Sequence, residues 1–150
     1  RRYELERDSG GPGLHRGGLG IRRELEILED GVLYTGLGDR HKIAPWGLEG
    51  GMEGGTGAFY RVVEDAAVQM GHKTTSLPLK KGDVIRVVTP GGGGFGDPKQ
   101  RPVSQILQDV MENKVSLIQA RVLYGCVIVP GEDGSYHVDE AETVKLRCEN

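Results

Sequence analysis

Thr89-Pro90-Gly91-Gly92-Gly93-Gly94-Phe95-Gly96-Asp97-Pro98 decides how this chain is read. Five glycines and two prolines in ten residues exclude a helix interior, where glycine costs about 1 kcal/mol and proline about 3. They also exclude a central strand, whose ladder needs the donors that proline lacks. Yet the run follows a strand signal, Asp83-Val84-Ile85-Arg86-Val87-Val88, and precedes a helical pattern that starts near Val103. A glycine loop fixed between two ordered elements marks a place where backbone comes very close to a ligand or to another piece of protein.

Working outward, the same residue dominates the composition. Glycine contributes 25 of 150 residues, more than twice the usual share of about 7%. Most of it falls in three blocks, 10–20, 31–57 and 91–96, rather than in the even scatter of a flexible linker. The length fits one domain, 1–150, with a core of its own. A net charge of −3 with interspersed signs, and no basic stripe interleaved with aromatic residues, excludes the electrostatic footprint of a nucleic-acid binder. No apolar run reaches the length of a membrane span and no signal-peptide pattern is present. Cys126 and Cys148 lack metal spacing, which points to reduced thiols in a cytoplasmic protein rather than a disulfide scaffold. The chain opens on Arg1-Arg2-Tyr3-Glu4-Leu5 without methionine and already in strand alternation, as a piece of something longer would.

Periodicity predicts an α+β fold: antiparallel and β-rich over the N-terminal two-thirds with glycine-rich loops, then two short helices, a terminal hairpin and a last helix. Tyr3–Glu6, Ile21–Leu28, Val32–Thr35, Phe59–Val63, Thr74–Leu79 and Asp83–Val88 read as strands. Asp30-Gly31 predicts a hairpin between the second and third of these, and Lys80-Lys81-Gly82 another between the last two. Residues 36 to about 58 form a long irregular segment, uncommon unless functional or buried by a partner. Val103–Met111 sets Val103, Ile106, Leu107 and Val110 on one helical face, ended by Asn113. Ser116 caps a second helix that stops at Gly125. Cys126–Val129 and Ser135–Val138 flank a turn, and Asp139 with Glu142 makes a capping box for the last helix.

Gly91, Gly93 and Gly96 satisfy the G-x-G-x-x-G spacing of a dinucleotide loop, but Asp97-Pro98 prolongs the loop where that fold needs a helix. No Gly-Lys-Ser/Thr completes a Walker A loop. An anion nest of backbone N–H groups stays open as a reading, and close packing of Gly91, Gly92, Gly93, Gly94 and Gly96 against neighbouring backbone is favoured. That packing is expected to lock strand 83–88 onto the C-terminal helices or a partner. Asp39-Arg40-His41-Lys42 gathers mixed charge in the long loop. Arg40 has the fork geometry to hold a carboxylate or phosphate, and His41 titrates near neutral pH; a solvated loop with a local ion pair is the plain alternative. Trp46, the single tryptophan, suits packing or a substrate wall. His15, His72 and His137 share no ligand spacing, so no metal site is expected within the chain. Glu49, Glu53, Glu64 and Asp65 offer carboxylates with nothing to mark a catalytic pair.

The ordered set of motifs resembles the C-terminal end of the B subunit of the ATP-dependent hydantoinase/oxoprolinase family. The segments that carry the likeness are Asp8-Ser9-Gly10-Gly11-Pro12-Gly13 with Arg16-Gly17-Gly18-Leu19-Gly20, then Arg40-His41 with Pro45-Trp46-Gly47-Leu48 and Gly50-Gly51. Gly82-Asp83 and the 89–98 run follow, and then Asp109-Val110, Val115-Ser116 and Tyr124-Gly125. The resemblance implies part of an A-plus-B assembly that opens a cyclic amide at the expense of ATP, which activates the amide carbonyl by phosphorylation. The family also has acetone and acetophenone carboxylases as relatives, so a non-catalytic assembly role in such a carboxylase is the alternative. A full B subunit is several times longer. Nucleotide handling belongs largely to the A subunit in the family, and its B-type metal cluster lies earlier in the sequence. The chain alone is therefore expected to bind no cofactor, while ATP and a divalent metal are implied for the whole assembly. Its partners would be an A-type subunit, the rest of the B subunit and a small cyclic amide. Arg40, His41 and Trp46 are the candidates for substrate or interface contact; no residue is assigned a catalytic role.

Overall fold

Apolar alternation becomes strand wherever one face of it finds cover, and the computed structural model, which describes residues 1–64 and 66–148, shows where that cover lies. Among the described residues there are nine strands and three α-helices. The strands in the first two-thirds are β1 (Arg2–Leu5), β2 (Ile21–Glu26), β3 (Val32–Leu37), β4 (Ala58–Val63), β5 (Ala66–Met70), β6 (Lys73–Leu79) and β7 (Val84–Val88). A short 3-10 turn at Pro98–Gln100 leads to α1 (Val103–Met111) and α2 (Leu117–Val122). The ribbon β8 (Ile128–Pro130) and β9 (Tyr136–Val138) then precedes α3 (Glu140–Cys148). The α+β class and its division along the chain are those the sequence predicts.

Five strands form one antiparallel sheet in the order β1-β2-β7-β4-β5, and β3 pairs with β6 in a separate ribbon. Phe59 and Ile85 are buried on one face of the sheet. Tyr34 of the ribbon meets Phe59 edge-on, with ring centroids 6.1 Å apart. The register Glu24↔Arg86↔Tyr60 places an ion pair on the other face, with Arg86 Nε donating to Glu24 at 2.7 Å.

Two hairpins expected from the sequence do not form. β2 pairs with β1 and β7, not β3, and β6 pairs with β3, not β7. Asp30-Gly31 and Lys80-Lys81-Gly82 are instead corners at which the chain passes between the five-stranded sheet and the ribbon. The corners dock on each other: Ile27 N–H donates to Asp83 O at 2.8 Å, Gly82 N–H to Ile27 O at 2.8 Å, and Lys81 N–H to an Asp30 carboxylate oxygen at 2.9 Å. A turn signal specifies reversal of the chain but not the strand that will receive it. The sequence also offered no reading of β5, whose Ala66, Ala67, Val68 and Gln69 are all exposed.

The helices enclose a second hydrophobic cluster of Ile106, Val110, Val115, Ala120, Tyr124, Cys126 and Ile128. Ser116 Oγ accepts from Gln119 N–H at 3.1 Å and caps α2; Asp139 accepts from Glu142 N–H at 3.0 Å and starts α3. Asn113, in left-handed conformation at φ 56°, ends α1. Cys126 and Cys148 are both free thiols.

Between the sheet and the helical cluster lie the three glycine blocks, backbone against backbone. Gly91–Gly96 runs between residues 9–20 and residues 45–57. Gly11 N–H donates to Gly92 O at 2.8 Å, Gly92 N–H to Gly18 O at 2.8 Å, Gly91 N–H to Gly55 O at 3.0 Å and Gly94 N–H to Met52 O at 2.9 Å. A methyl group on Gly91 would strike Ser9 O, one on Gly93 would strike Trp46 O, and one on Gly94 would strike Pro12 O. The partners of this loop are thus the two other glycine blocks, rather than the C-terminal helices expected from the sequence. The helices are reached only beyond it, through Asp97–Arg101. Gly93→Ala should therefore lower stability by at least about 2 kcal/mol, the cost of overpacking into unyielding backbone. Gly18, whose added methyl would meet nothing within 4 Å, should tolerate alanine within about 0.5 kcal/mol. Urea unfolding of the two variants checks this; equal losses would refute the packing role of Gly93.

Candidate functional site

The irregular segment between β3 and β4 is held open by the glycine layer, and Arg40, His41 and Trp46 all sit on it. Arg40 adopts the left-handed conformation, φ 58°, unusual for a side chain of its size. Its carbonyl accepts from Gly57 N–H at 3.0 Å, which fixes the turn. Its guanidinium lies 4.6 Å from the ring centre of Trp46, within cation–π range. Trp46 is 63% exposed, so its ring is a surface feature and not core packing. Trp46 O abuts Gly93, and so the glycine loop sets the position of the tryptophan backbone.

His41 turns the other way. Its ring meets Phe59 edge-on with centroids 4.6 Å apart and is flanked by Gly38 and Gly57. The His72 ring is 6.5 Å away. Burial, and then the neighbouring His72, hold the His41 imidazole below its ordinary value, with Asp39 opposing. It is therefore mainly neutral at pH 7, able to accept a proton or a hydrogen bond. Residues Gly38 to Ile43, with His72 and Lys73, line a recess of about 520 Å³.

The structure thus brings Arg40 and Trp46 together and places His41 beside them, facing the recess rather than the tryptophan. His72 and Lys73 join the site through register: Leu37 pairs with Lys73, and Gly38 N–H donates to His72 O at 3.0 Å. Their distance from residue 41 in the chain hid them from any spacing argument. Gly91–Gly96 lies apart from the recess with five of its six backbone N–H groups donating to backbone carbonyls. Those donors are not available to cradle a phosphate. Glu49, Glu53 and Glu64 enter no ion pair among the described residues, and Asp65 lies outside them.

A buried charge cluster was also missed. Arg16 Nε and Nη2 grip the Asp109 carboxylate at 3.1 and 3.2 Å, and Arg101 Nη2 joins at 2.9 Å. Tyr124 lies nearby with its phenol pushed up to about 12 by burial. Arg147 donates to the carbonyls of Arg101 and Tyr124 at 3.0 and 3.2 Å. These residues come from separate segments, and only Arg16-Gly17-Gly18, Asp109-Val110 and Tyr124-Gly125 marked any of them in the sequence. The cluster clamps the first glycine block to α1, a structural role. Among the described residues no group of three or more His, Cys, Asp or Glu stands where it could hold a metal ion. The divalent metal implied by resemblance thus finds no fit in these residues. No helix among them is long and apolar enough to cross a membrane.

A backbone-laminated β-scaffold that presents a cationic loop at its margin defines a loop-bearing module. Comparison with known proteins gives that module a family: a model of the hydantoinase B/oxoprolinase family matches residues 1–98, and the chain belongs to it. It is 42% identical to the Methanocaldococcus jannaschii protein MJ0963 over 97% of its own length and 25% of that protein. It is 38% identical to the caprolactamase subunit beta of Pseudomonas jessenii, covering 95% of this chain and 24% of the relative. A nucleotide-free structure of acetone carboxylase superposes with a TM-score of 0.83 at 25% identity, over 97% of this chain and 24% of that one. The chain therefore spans about a quarter of the length of each.

The depressed His41 sets a pH dependence. Its neutral form is favoured by folding, so its contribution to stability is present above the unfolded value and is lost as pH falls through the folded one. Stability should fall on acidification below about pH 6.5, and His41→Gln should flatten that slope. Urea unfolding between about pH 7.5 and 5 measures it; identical slopes in the two proteins would refute the assignment.

Proposed function

We propose that this chain serves as the C-terminal portion of a B-type subunit in an ATP-dependent enzyme that opens a lactam or hydantoin ring. The observation that carries the reading is the near-complete match of the chain to about a quarter of the length of its relatives, a caprolactamase subunit among them. In such a reaction the amide oxygen takes the phosphoryl group of ATP and ADP leaves; one water adds to the activated carbon, the C–N bond breaks to free the amine and leave an acyl phosphate, and a second water hydrolyses that to the carboxylate and phosphate. The partners are an A-type subunit and the remainder of the B subunit, in a cytoplasmic hetero-oligomer. In this reading the chain by itself is inactive, because it spans only about a quarter of such a subunit. Arg40, His41 and Trp46 contact substrate or the neighbouring subunit, and the glycine layer keeps their loop in place.

The acetone carboxylase likeness supports a second reading, in which the chain is a non-catalytic assembly element of an ATP-dependent carboxylase. Co-expression with an A-type subunit and the preceding B segment separates the two. Ring opening of 5-oxoproline, hydantoin or caprolactam coupled to ATP hydrolysis is expected, with none from the chain alone. Bicarbonate-dependent ketone carboxylation without ring opening would overturn the first reading in favour of the second.

A further inference from the structure

We propose that the recess between the 38–43 turn and the start of β6 is a phosphoryl-binding site. It is lined by three permanent cations, Arg40, Lys42 and Lys73, by His41 and His72, and by a single carboxylate, Asp39. Three positive charges against one negative leave a net charge of +2, the two imidazoles aside. In a chain of net charge −3, that is a local reversal of sign. It matches a phosphate monoester, which carries about −1.5 to −2 at neutral pH, better than a single carboxylate.

The cations are also unclaimed. Eight of the chain's arginines hold carboxylates in ion pairs. Among the described residues Arg40, Lys42 and Lys73 hold none. Like charges gathered in one recess repel, and such an arrangement is relieved by an anion that bridges them. The backbone supports the same end. Arg40, which helps to line the recess, is kept in its left-handed conformation by Gly57 and is stacked on Trp46. The His72 ring, 6.5 Å away, discourages protonation of His41, and an anion beside them would offset that penalty. The recess, at about 520 Å³, admits a phosphorylated small molecule.

The choice of a phosphoryl ligand rests on the ATP-dependent reading above. Its source is either the phosphorylated amide or the nucleotide, and the shared chemistry is the phosphoryl group. The test follows the imidazole resonances of His41 and His72 in the 150-residue chain as inorganic phosphate, ATP or acetate is added at matched ionic strength. Phosphate should raise the titration midpoints of both histidines saturably, and acetate should not. Lys42→Ala/Lys73→Ala should weaken phosphate binding about tenfold or more while leaving the melting temperature unchanged. ATP binding much more tightly than phosphate would identify the nucleotide as the source; equal affinity would identify the phosphorylated intermediate. Resonances that phosphate does not move, or a double variant that binds it as well as the parent, would overturn the site. Because the readout needs no turnover, failure of ring opening in the assembly leaves its outcome distinct.

Discussion

Backbone packed directly on backbone is the constraint on which the rest of this structure depends. A chain with 37% hydrophobic residues would ordinarily join its sheet to its helices through interdigitated side chains. Here Gly91–Gly96 lies between two other glycine blocks, and at Gly91, Gly93 and Gly94 the facing backbone leaves no volume for a methyl group. The layer is held by main-chain hydrogen bonds, each worth only about 0.5–1.5 kcal/mol net but costly to leave unmade when buried. Glycine also gives up more conformational freedom on folding than other residues, about 0.5–1 kcal/mol relative to alanine. The arrangement is therefore stable only when nearly all its bonds form together, which makes it rigid.

The charged cluster answers a problem that this rigidity creates. A laminate of glycines presents few side chains by which anything else can grip it. Arg16, from the first block, and Arg101, just beyond the third, converge on Asp109 of α1. The three side chains are nearly inaccessible to water, so their attraction is little screened, and the loss of Asp109 would leave two buried cations facing each other. The cluster joins the laminate to the helical core, alongside Asp8, whose N–H donates to Lys114 O and whose carboxylate accepts from Ser116 N–H.

How much of this was legible follows from which signals are local. Strand β7, helix α1, the Ser116 cap and the Asp139–Glu142 box were readable because each is decided within a few residues. The exclusion of a dinucleotide loop was readable from Asp97-Pro98 for the same reason. The two false hairpins were not, because Asp30-Gly31 and Lys80-Lys81-Gly82 report only that the chain turns. Which sheet receives the next strand depends on partners fifty residues away, as in the contact of Lys81 with Asp30. Arg40 and Trp46, six apart in one loop, could be picked together, whereas His72 and Lys73 reach His41 only through the β3–β6 register.

The laminate and the recess are mechanically linked, and the link has a direction. The carbonyl of Trp46 rests against Gly93, the Trp46 ring carries the Arg40 guanidinium, and the Arg40 carbonyl is pinned by Gly57 of the second block. A left-handed arginine is strained by about 1–2 kcal/mol and persists only where its surroundings over-determine it. The surroundings here are the glycine layer itself. Displacing Gly93 by a few tenths of an ångström would move Trp46 and release Arg40, which helps to line the recess, to an ordinary conformation. The glycine run that resembles a phosphate loop thus touches no phosphate through its own amides. Its bearing on an anion passes through the tryptophan and the arginine that it holds in place.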